Sequence, residues 1–292
     1  MRQYGITNRF YTRITMRTLA KDTSPEVETQ LINLWRQQTP AKKLKSLTGL
    51  GQLVKNLIFS GLRLQNPQAS KRELYHQFYI RRLGREPADK IFAHGKSVSQ
   101  NLEGDMTEPQ IIALAIRQLD HLKIPYYISG GVASIIYGEP RLTNDADLVI
   151  RIFPFHIPKL VQAFENEFVI SAGAIQTALQ GRRAFNMIHV DTAFKIDFYP
   201  ISDDDDLEID AFARRRLNDI GAGEVWLASA EDVILAKLRW FRFGGEVSET
   251  QWRDVLGVLK VQGEKLDFAY LSAQAQRFGL KDLFDQARED AG

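Results

Sequence analysis

Two aspartates stand close together at the start of a strongly apolar segment, Asp145-Ala146-Asp147-Leu148-Val149-Ile150. The apolar run predicts a strand, and side chains at positions i and i+2 of a strand point to the same face. Asp145 and Asp147 therefore present two carboxylates side by side, where like charges repel and lose solvation. Such a pair becomes stable when a divalent cation lies between the carboxylates, so the segment predicts a buried strand that carries a charged site.

A glycine pair and a third aspartate accompany this strand. Gly130 and Gly131 follow a short predicted strand at residues 126–129 and open a predicted helix, so backbone N–H groups can approach a phosphate closely. Asp197 lies between Ile196 and Phe198 in a strand that we expect to pair beside the first. Its two neighbours point to the opposite face, which leaves Asp197 free to join the aspartate pair. Three converging carboxylates suit two Mg²⁺ ions that activate a hydroxyl and stabilise a leaving pyrophosphate.

Three further side chains belong to the predicted site. The guanidinium of Arg141 can hold a triphosphate, or it can be an ordinary surface residue of a turn. Thr143 either positions the strand or donates to a phosphate. Lys237 lies among apolar neighbours in a predicted helix, so its ammonium must reach water or find an anionic partner, either a phosphate or Asp254.

The ordered set of motifs resembles the nucleotidyltransferase superfamily, which has the polymerase-β-like fold. That family has a glycine pair after a strand, an Asp-x-Asp on the next strand and a later single Asp. Within it, the segment Arg141-x-Thr143-x-Asp145-x-Asp147 is most similar to the AbiEii-type nucleotidyltransferases, the toxin side of bacterial toxin–antitoxin pairs. The resemblance covers about residues 108–260.

The resemblance implies an enzyme that uses Mg²⁺ or Mn²⁺ to move a nucleoside monophosphate from an NTP to an acceptor hydroxyl on RNA or protein. It also implies an antitoxin as a partner. The implied catalytic and metal-binding residues are Asp145, Asp147 and Asp197. The implied nucleotide-binding residues are Gly130, Gly131, Arg141, Thr143 and Lys237.

Two other interpretations remain open at this point. In the first, the glycines form a tight turn, Asp145 and Asp147 solubilise a strand edge, and Asp197 pairs with Lys195. In the second, the protein is a non-catalytic nucleotide-binding or regulatory protein whose helical N-terminal module docks a partner.

Charge is divided unevenly along the 292 residues, although the net charge is only +2. Residues 1–105 hold 18 Lys and Arg against 8 Asp and Glu, whereas residues 106–292 hold 20 against 28. This division predicts two modules, of which the basic one either attracts nucleic acid or docks on the acidic one.

The expected organisation follows the change of pattern along the chain. Residues 1–21 are expected to be a disordered leader, or an over-extended start with initiation at Met16. A helical module at 22–92, a polar linker at 93–107, a nucleotidyltransferase core at 108–205 and a mostly helical region at 206–292 follow. The expected fold class is α/β (α+β), with a mixed-sheet core, C-terminal helices and a separate all-α N-terminal module.

Composition excludes several classes of protein. No run approaches the ~18 apolar residues of a membrane-spanning helix, so an integral membrane protein is not expected. The chain has no cysteine, which excludes disulfides and cysteine metal sites. A reducing, cytoplasmic setting is the natural expectation.

Overall fold

The computed structural model describes residues 18–20, 22–93 and 106–292. Most of the expected leader and linker therefore lies outside the described residues. The helices of the described residues are α1 (Pro25–Gln37), α2 (Pro40–Gln65), α3 (Lys71–Leu83), α4 (Arg85–Ala93), α5 (Glu108–His121), α6 (Gly130–Tyr137), α7 (Ile157–Phe164), α8 (Ala172–Gly181), α9 (Asp206–Arg214), α10 (Ala230–Phe243), α11 (Glu249–Gln262), α12 (Phe268–Arg277) and α13 (Lys281–Ala291). The strands are β1 (Tyr126–Ser129), β2 (Asp145–Ile150), β3 (Phe168–Val169), β4 (Phe185–His189), β5 (Lys195–Pro200), β6 (Arg216–Asp219) and β7 (Glu224–Leu227).

The strands form one mixed, seven-stranded sheet in the order β3-β4-β5-β2-β1-β7-β6. At its centre β2 runs antiparallel to β1 and parallel to β5. With helices on the sheet and an all-helical N-terminal segment, this architecture confirms the predicted fold class. The strands β6 and β7 lie within 206–292, which was expected to be mostly helical apart from a strand at residues 225–227; that strand is β7, and β6 was not expected. Because β7 pairs with β1, through Ile128 and Leu227, the sheet continues beyond residue 205.

Alternation along the central strands decides which face carries the charges. Ala146, Leu148 and Ile196 are fully buried in the main hydrophobic cluster on one face of the sheet. Asp145 and Asp147, at the intervening positions of β2, are only partly buried on the opposite face. That opposite face packs against α10 and α11 through a second cluster. The predicted catalytic strand therefore has an apolar side and a charged side.

The N-terminal helix α2 is anchored on the sheet domain. The Lys43 ammonium is buried and donates to the carbonyl oxygens of Ile136 and Gly138, at 2.8 Å and 3.1 Å. Both carbonyls lie at the carboxyl end of α6, where helix carbonyls lack partners within the helix and a cation is favourable. The neighbouring Leu44 is part of the main hydrophobic cluster. This end of α2 thus caps the helix that begins at the glycine pair.

Two further contacts fix the helical segment in place. Glu28 of α1 forms a buried ion pair with Lys260 of α11, with 2.8 Å between Oε2 and Nζ. The Tyr79 hydroxyl of α3 donates to the carbonyl of Val190 at 2.9 Å. The basic segment is therefore docked on the acidic part of the same chain, and its contact with RNA stays a prediction.

The described helices were also compared with the requirements of a membrane span. None of those within 22–93 or 106–292 combines the length and the apolar character that a membrane span requires.

Candidate active site

The register of β2 and β5 brings the three predicted carboxylates to one face of the sheet. The two strands are parallel, with Asp147 beside Asp197 and Asp145 beside Lys195. Since paired residues of neighbouring strands point to the same side, the side chains of Asp145, Asp147 and Asp197 form a charged row. These three residues therefore lie on adjacent strands, as predicted.

The ammonium of Lys195 lies within this row. Its Nζ is 2.6 Å from Oδ2 of Asp197 and 3.7 Å from Oδ2 of Asp145. Burial lowers the pKa of Lys195, but the hydrogen bond and the charge of Asp197 outweigh burial and leave that pKa raised. The ion pair between Asp197 and Lys195, expected under the structural interpretation of the motif, is therefore present. The row therefore contains one ammonium among its three carboxylates.

Asp147 lies at the centre of the site and is held from two sides. The backbone N–H of Gly131 donates to its Oδ2 at 3.2 Å, and the Tyr199 hydroxyl donates to its Oδ1 at 3.3 Å. Burial raises the pKa of Asp147, and the charge of Asp145 raises it further. Burial also raises the pKa of Asp197. The ionised carboxylates are thus costly here, and an added cation would stabilise them.

The glycine pair sits directly against the carboxylate row. Gly130 has a φ of +56°, and a Cβ on it would overlap the Asp147 carboxylate. A Cβ on Gly131 would lie 2.9 Å from Oγ1 of Thr143. Both positions therefore require glycine, one for its left-handed backbone and close approach, the other for close approach alone. The turn from β1 into α6 places backbone N–H groups next to the acidic strand, where the N–H of Gly131 donates to Asp147.

The two predicted phosphate-binding cations meet at one buried carboxylate. Arg141 donates twice to Asp254, with Nε–Oδ1 at 2.7 Å and Nη2–Oδ2 at 2.8 Å. The Lys237 Nζ lies 2.8 Å from the same Oδ2. Burial alone would raise the pKa of Asp254, but hydrogen bonds from Arg141 and the charge of Lys237 leave it lowered. Of the two partners predicted for Lys237, the structure therefore contains Asp254.

Thr143 contacts the acidic pair. Its Oγ1 donates to Oδ1 of Asp145 at 3.0 Å. This hydrogen bond orients the first carboxylate of β2, as expected if Thr143 positions the strand.

A cavity of about 190 Å³ opens beside the row, between the sheet and helices α9 and α10. Its walls include Gly130, Asp147, Tyr199, Glu208, Lys237 and Trp240. Glu208 lies 3.2 Å from Arg239, from its Oε1 to Nη2. Burial raises the pKa of Glu208 to about 7, and the charge of Asp205 acts in the same direction. The cavity is thus lined by the carboxylates of Asp147 and Glu208, by Lys237 and by the aromatic side chains of Tyr199 and Trp240.

The donor chemistry of the row fits Mg²⁺ or Mn²⁺, which prefer carboxylate oxygens. Within residues 18–20, 22–93 and 106–292, however, no three His, Asp or Glu side chains are grouped closely enough to hold a metal ion. The positive charge within the row is instead the ammonium of Lys195, which lies between Asp145 and Asp197. A divalent cation at these residues would have to displace that ammonium.

Two residues of the site were not predicted from the sequence. Tyr199 could have been found, because it lies two positions after Asp197 on the same strand and so shares its face. Nothing in the sequence marked Glu208 as a site residue, since glutamate is common in the first turn of a helix. Its position in the cavity depends on how α9 packs on the sheet.

Comparisons with known proteins gave structural likenesses only. No family model matches the chain, and no curated protein does. One similar solved structure is an antigenic nucleotidyltransferase-like protein from Paracoccidioides brasiliensis, with 21% identity, a TM-score of 0.40, and coverage of 62% of this chain and 93% of that one. Another is the lincosamide antibiotic adenylyltransferase LnuA bound to lincomycin, with 17% identity, a TM-score of 0.37, and coverage of 54% and 99%. A third is the antibiotic-resistance factor ANT(2'')-Ia, with 15% identity, a TM-score of 0.39, and coverage of 61% and 97%.

The first of these proteins is nucleotidyltransferase-like, and the second is an adenylyltransferase. At these identities and TM-scores, no substrate and no residue role transfers from them to this chain.

Proposed function

We propose that the protein is a metal-dependent nucleotidyltransferase that moves a nucleoside monophosphate from an NTP to an acceptor hydroxyl. The observation that carries this proposal is the shared face of Asp145, Asp147 and Asp197 on two adjacent strands, with the Gly130–Gly131 turn packed against Asp147. A carboxylate row next to the backbone N–H groups at the start of a helix suits a bound triphosphate and its counter-ions. The adjoining cavity of about 190 Å³ opens beside Gly130 and Asp147.

In this proposal each residue has one task. Asp145 and Asp147 hold Mg²⁺ or Mn²⁺, with Asp197 beside them, and the bound ion supplies positive charge for the phosphates and for the attacking oxygen. The N–H groups of Gly130 and Gly131 orient the phosphate oxygens. The attacking hydroxyl forms a bond to the α-phosphorus, the bond from that phosphorus to pyrophosphate breaks, and the Asp197 carboxylate accepts the hydroxyl proton.

The cations of the site complete the arrangement. Arg141 and Lys237 are held together by Asp254, so the three side chains carry one net positive charge beside the glycine turn. That charge favours the departing pyrophosphate. Thr143 keeps Asp145 oriented through its hydrogen bond.

A finer assignment follows from the order of residues in the loop before β2. The pattern Arg141-x-Thr143-x-Asp145-x-Asp147 supports an AbiEii-type enzyme, a toxin that modifies RNA or protein and is opposed by an antitoxin. Two contacts are consistent with this assignment, since Arg141 reaches the Asp254–Lys237 pair and Thr143 reaches Asp145.

One observation favours a second candidate, a non-catalytic nucleotide-binding or regulatory protein. Lys195 already provides a positive charge between Asp145 and Asp197. A site balanced by its own lysine could bind nucleotide and transfer nothing. The two candidates differ in whether a divalent cation replaces the lysine.

The test is to incubate the protein with each α-labelled NTP, Mg²⁺ or Mn²⁺, and either total RNA or a protein extract. The proposal expects label on one macromolecular fraction, dependent on the metal and on one or more of the NTPs. Nucleotide binding without transfer in any combination would favour the regulatory candidate.

A further inference from the structure

Helix α2 has two apolar faces, and the described residues cover only one of them. On the covered face, Leu44 and Leu62 are buried against the rest of the chain. The other face carries Leu50, Leu53, Val54, Leu57 and Leu64, which are exposed by 45%, 54%, 38%, 64% and 82%. We call these five residues the leucine stripe. Contiguous apolar side chains at this exposure usually mark an interaction surface.

The spacing of the stripe suits one kind of contact. Positions 50, 53, 57, 60 and 64 follow one another at alternating intervals of three and four, and leucine occupies four of them, with Ser60 as the exception. This is the seam of a coiled coil, whose leucines insert between those of a second helix. The stripe extends over roughly 20 Å of helix at 1.5 Å per residue. The stripe is therefore suited to pack against a second helix.

Charge around the stripe indicates the chemistry of that second helix. Residues 29–72 contain eight Lys and Arg and no Asp or Glu. Lys42 and Arg63 fall at the positions that flank the seam, where charged side chains select the partner helix. Both are exposed. Acidic residues at the facing positions would pair with them.

We infer that the leucine stripe docks an acidic amphipathic helix of a partner protein. A second copy of this chain is a poor occupant, because pairing two copies of α2 would bring together two segments that carry only positive charge. An anionic lipid surface is also a poor fit, because the exposed apolar side chains of the stripe are leucine and valine, and its seam is narrow. The stripe lies on the same helix whose Lys43 caps the carboxyl end of α6.

The test uses the full-length protein and a labelled synthetic peptide as the probe. The peptide has about four heptads, with leucine at the seam positions and glutamate at the flanking positions. Fluorescence anisotropy should show binding that weakens about tenfold between roughly 0.05 and 0.3 M NaCl, since salt screens the charge pairs. A matched peptide with lysine in place of glutamate should not bind.

Two variants locate the binding surface. Replacing Leu53→Gln together with Leu57→Gln should weaken binding about tenfold or more, because both side chains lie in the seam. The control is Leu34→Gln, on α1, whose side chain is 56% exposed and so comparable to Leu53. It should leave the affinity unchanged, and circular dichroism should give the same helix content for all three proteins.

Four results would overturn the inference. The first is equal affinity for the acidic and basic peptides, and the second is unchanged affinity in the Leu53→Gln, Leu57→Gln protein. The third is a dimer in light scattering that disappears with Leu57→Gln, which would assign the stripe to a second copy. The fourth is sedimentation with phosphatidylserine vesicles without binding of the acidic peptide, which would assign it to a lipid surface.

Discussion

The Asp147 carboxylate occupies the space that a side chain on Gly130 would need. Gly130 begins α6 with a φ of +56°, and Asp147 comes from β2, so the contact joins the predicted phosphate-binding turn to the predicted metal-binding strand. The glycine requirement and the acidic motif are therefore one structural feature. Neither residue can change without affecting the other.

Replacing Gly130→Ala should disable the site and destabilise the fold by about 2 kcal/mol, because the new Cβ meets a carboxylate and the backbone is left-handed. Urea unfolding and nucleotide binding measure the two effects. The control is Gly173→Ala in the first turn of α8, where the nearest atom to a new Cβ is 3.8 Å away. That variant should be neutral or slightly more stable, since alanine favours helix. Equal stability of both variants would mean that the approach of Asp147 to Gly130 is looser than described.

Removing the internal ammonium should tighten the binding of a divalent cation. The Lys195 ammonium lies 3.7 Å from the Asp145 carboxylate and 2.6 Å from that of Asp197. In Lys195→Met this charge is gone, so Mn²⁺ can bind where the ammonium was and no longer competes with it. Titration followed by electron paramagnetic resonance should give a dissociation constant about tenfold lower than that of the wild type. The control Lys159→Met changes a lysine of α7, outside the row. An unchanged affinity in Lys195→Met would contradict a cation site at these carboxylates.

Breaking the Asp254 junction should affect both stability and nucleotide affinity. Asp254→Asn leaves the nearly buried Lys237 without its carboxylate, which should cost about 3 kcal/mol of unfolding free energy. Nucleotide should bind more weakly, because Arg141 and Lys237 lose their common anchor. Adding Lys237→Met to Asp254→Asn should recover part of the stability but not the nucleotide affinity. Recovery of both, or of neither, would contradict the roles given to the two residues.

Glu208 should make stability depend on pH. Its pKa is raised from 4.5 to about 7, so between these values the folded protein keeps a proton that the unfolded chain has lost. Stability contributed by this group is therefore present below pH 4.5 and lost as the pH rises through about 7. Relative to Glu208→Gln, the wild type should lose about 2 kcal/mol over this window, measured by urea unfolding.

The control for the pH dependence is Glu264→Gln, which changes an exposed glutamate. This variant should follow the wild-type pH profile. If Glu208→Gln follows that profile as well, the carboxylate is less buried than the structure indicates.

Much of the site was predictable because it depends on residues that are close together in the sequence. The strand at residues 126–129 was predicted with the bounds that β1 has, and alternation alone assigned Asp145 and Asp147 to one face. The glycine pair was expected to open a helix, and α6 begins at Gly130. Local sequence defines which residues share a face, and the structure agrees there.

The remaining features depend on contacts between distant segments. Lys195 was known to neighbour Asp197 in sequence, but its reach to Asp145 depends on the parallel register of β2 and β5. The Arg141–Asp254 pair requires α11 to approach the loop before β2. Such pairings are set by tertiary packing, which periodicity does not encode.

The most direct test of the central claim is to compare α-labelled and γ-labelled NTP in the wild type and in Asp147→Asn. The asparagine oxygen can accept from the Gly131 N–H, and its NH2 can donate to the Tyr199 hydroxyl oxygen. Because like-charge repulsion is removed as well, this variant should fold at least as stably as the wild type. With the wild type, the α-label should move to an acceptor and the γ-label should leave as pyrophosphate, whereas Asp147→Asn should do neither. Transfer of the γ-label, or α-label transfer that persists in a folded Asp147→Asn protein, would contradict nucleotidyl transfer at this site.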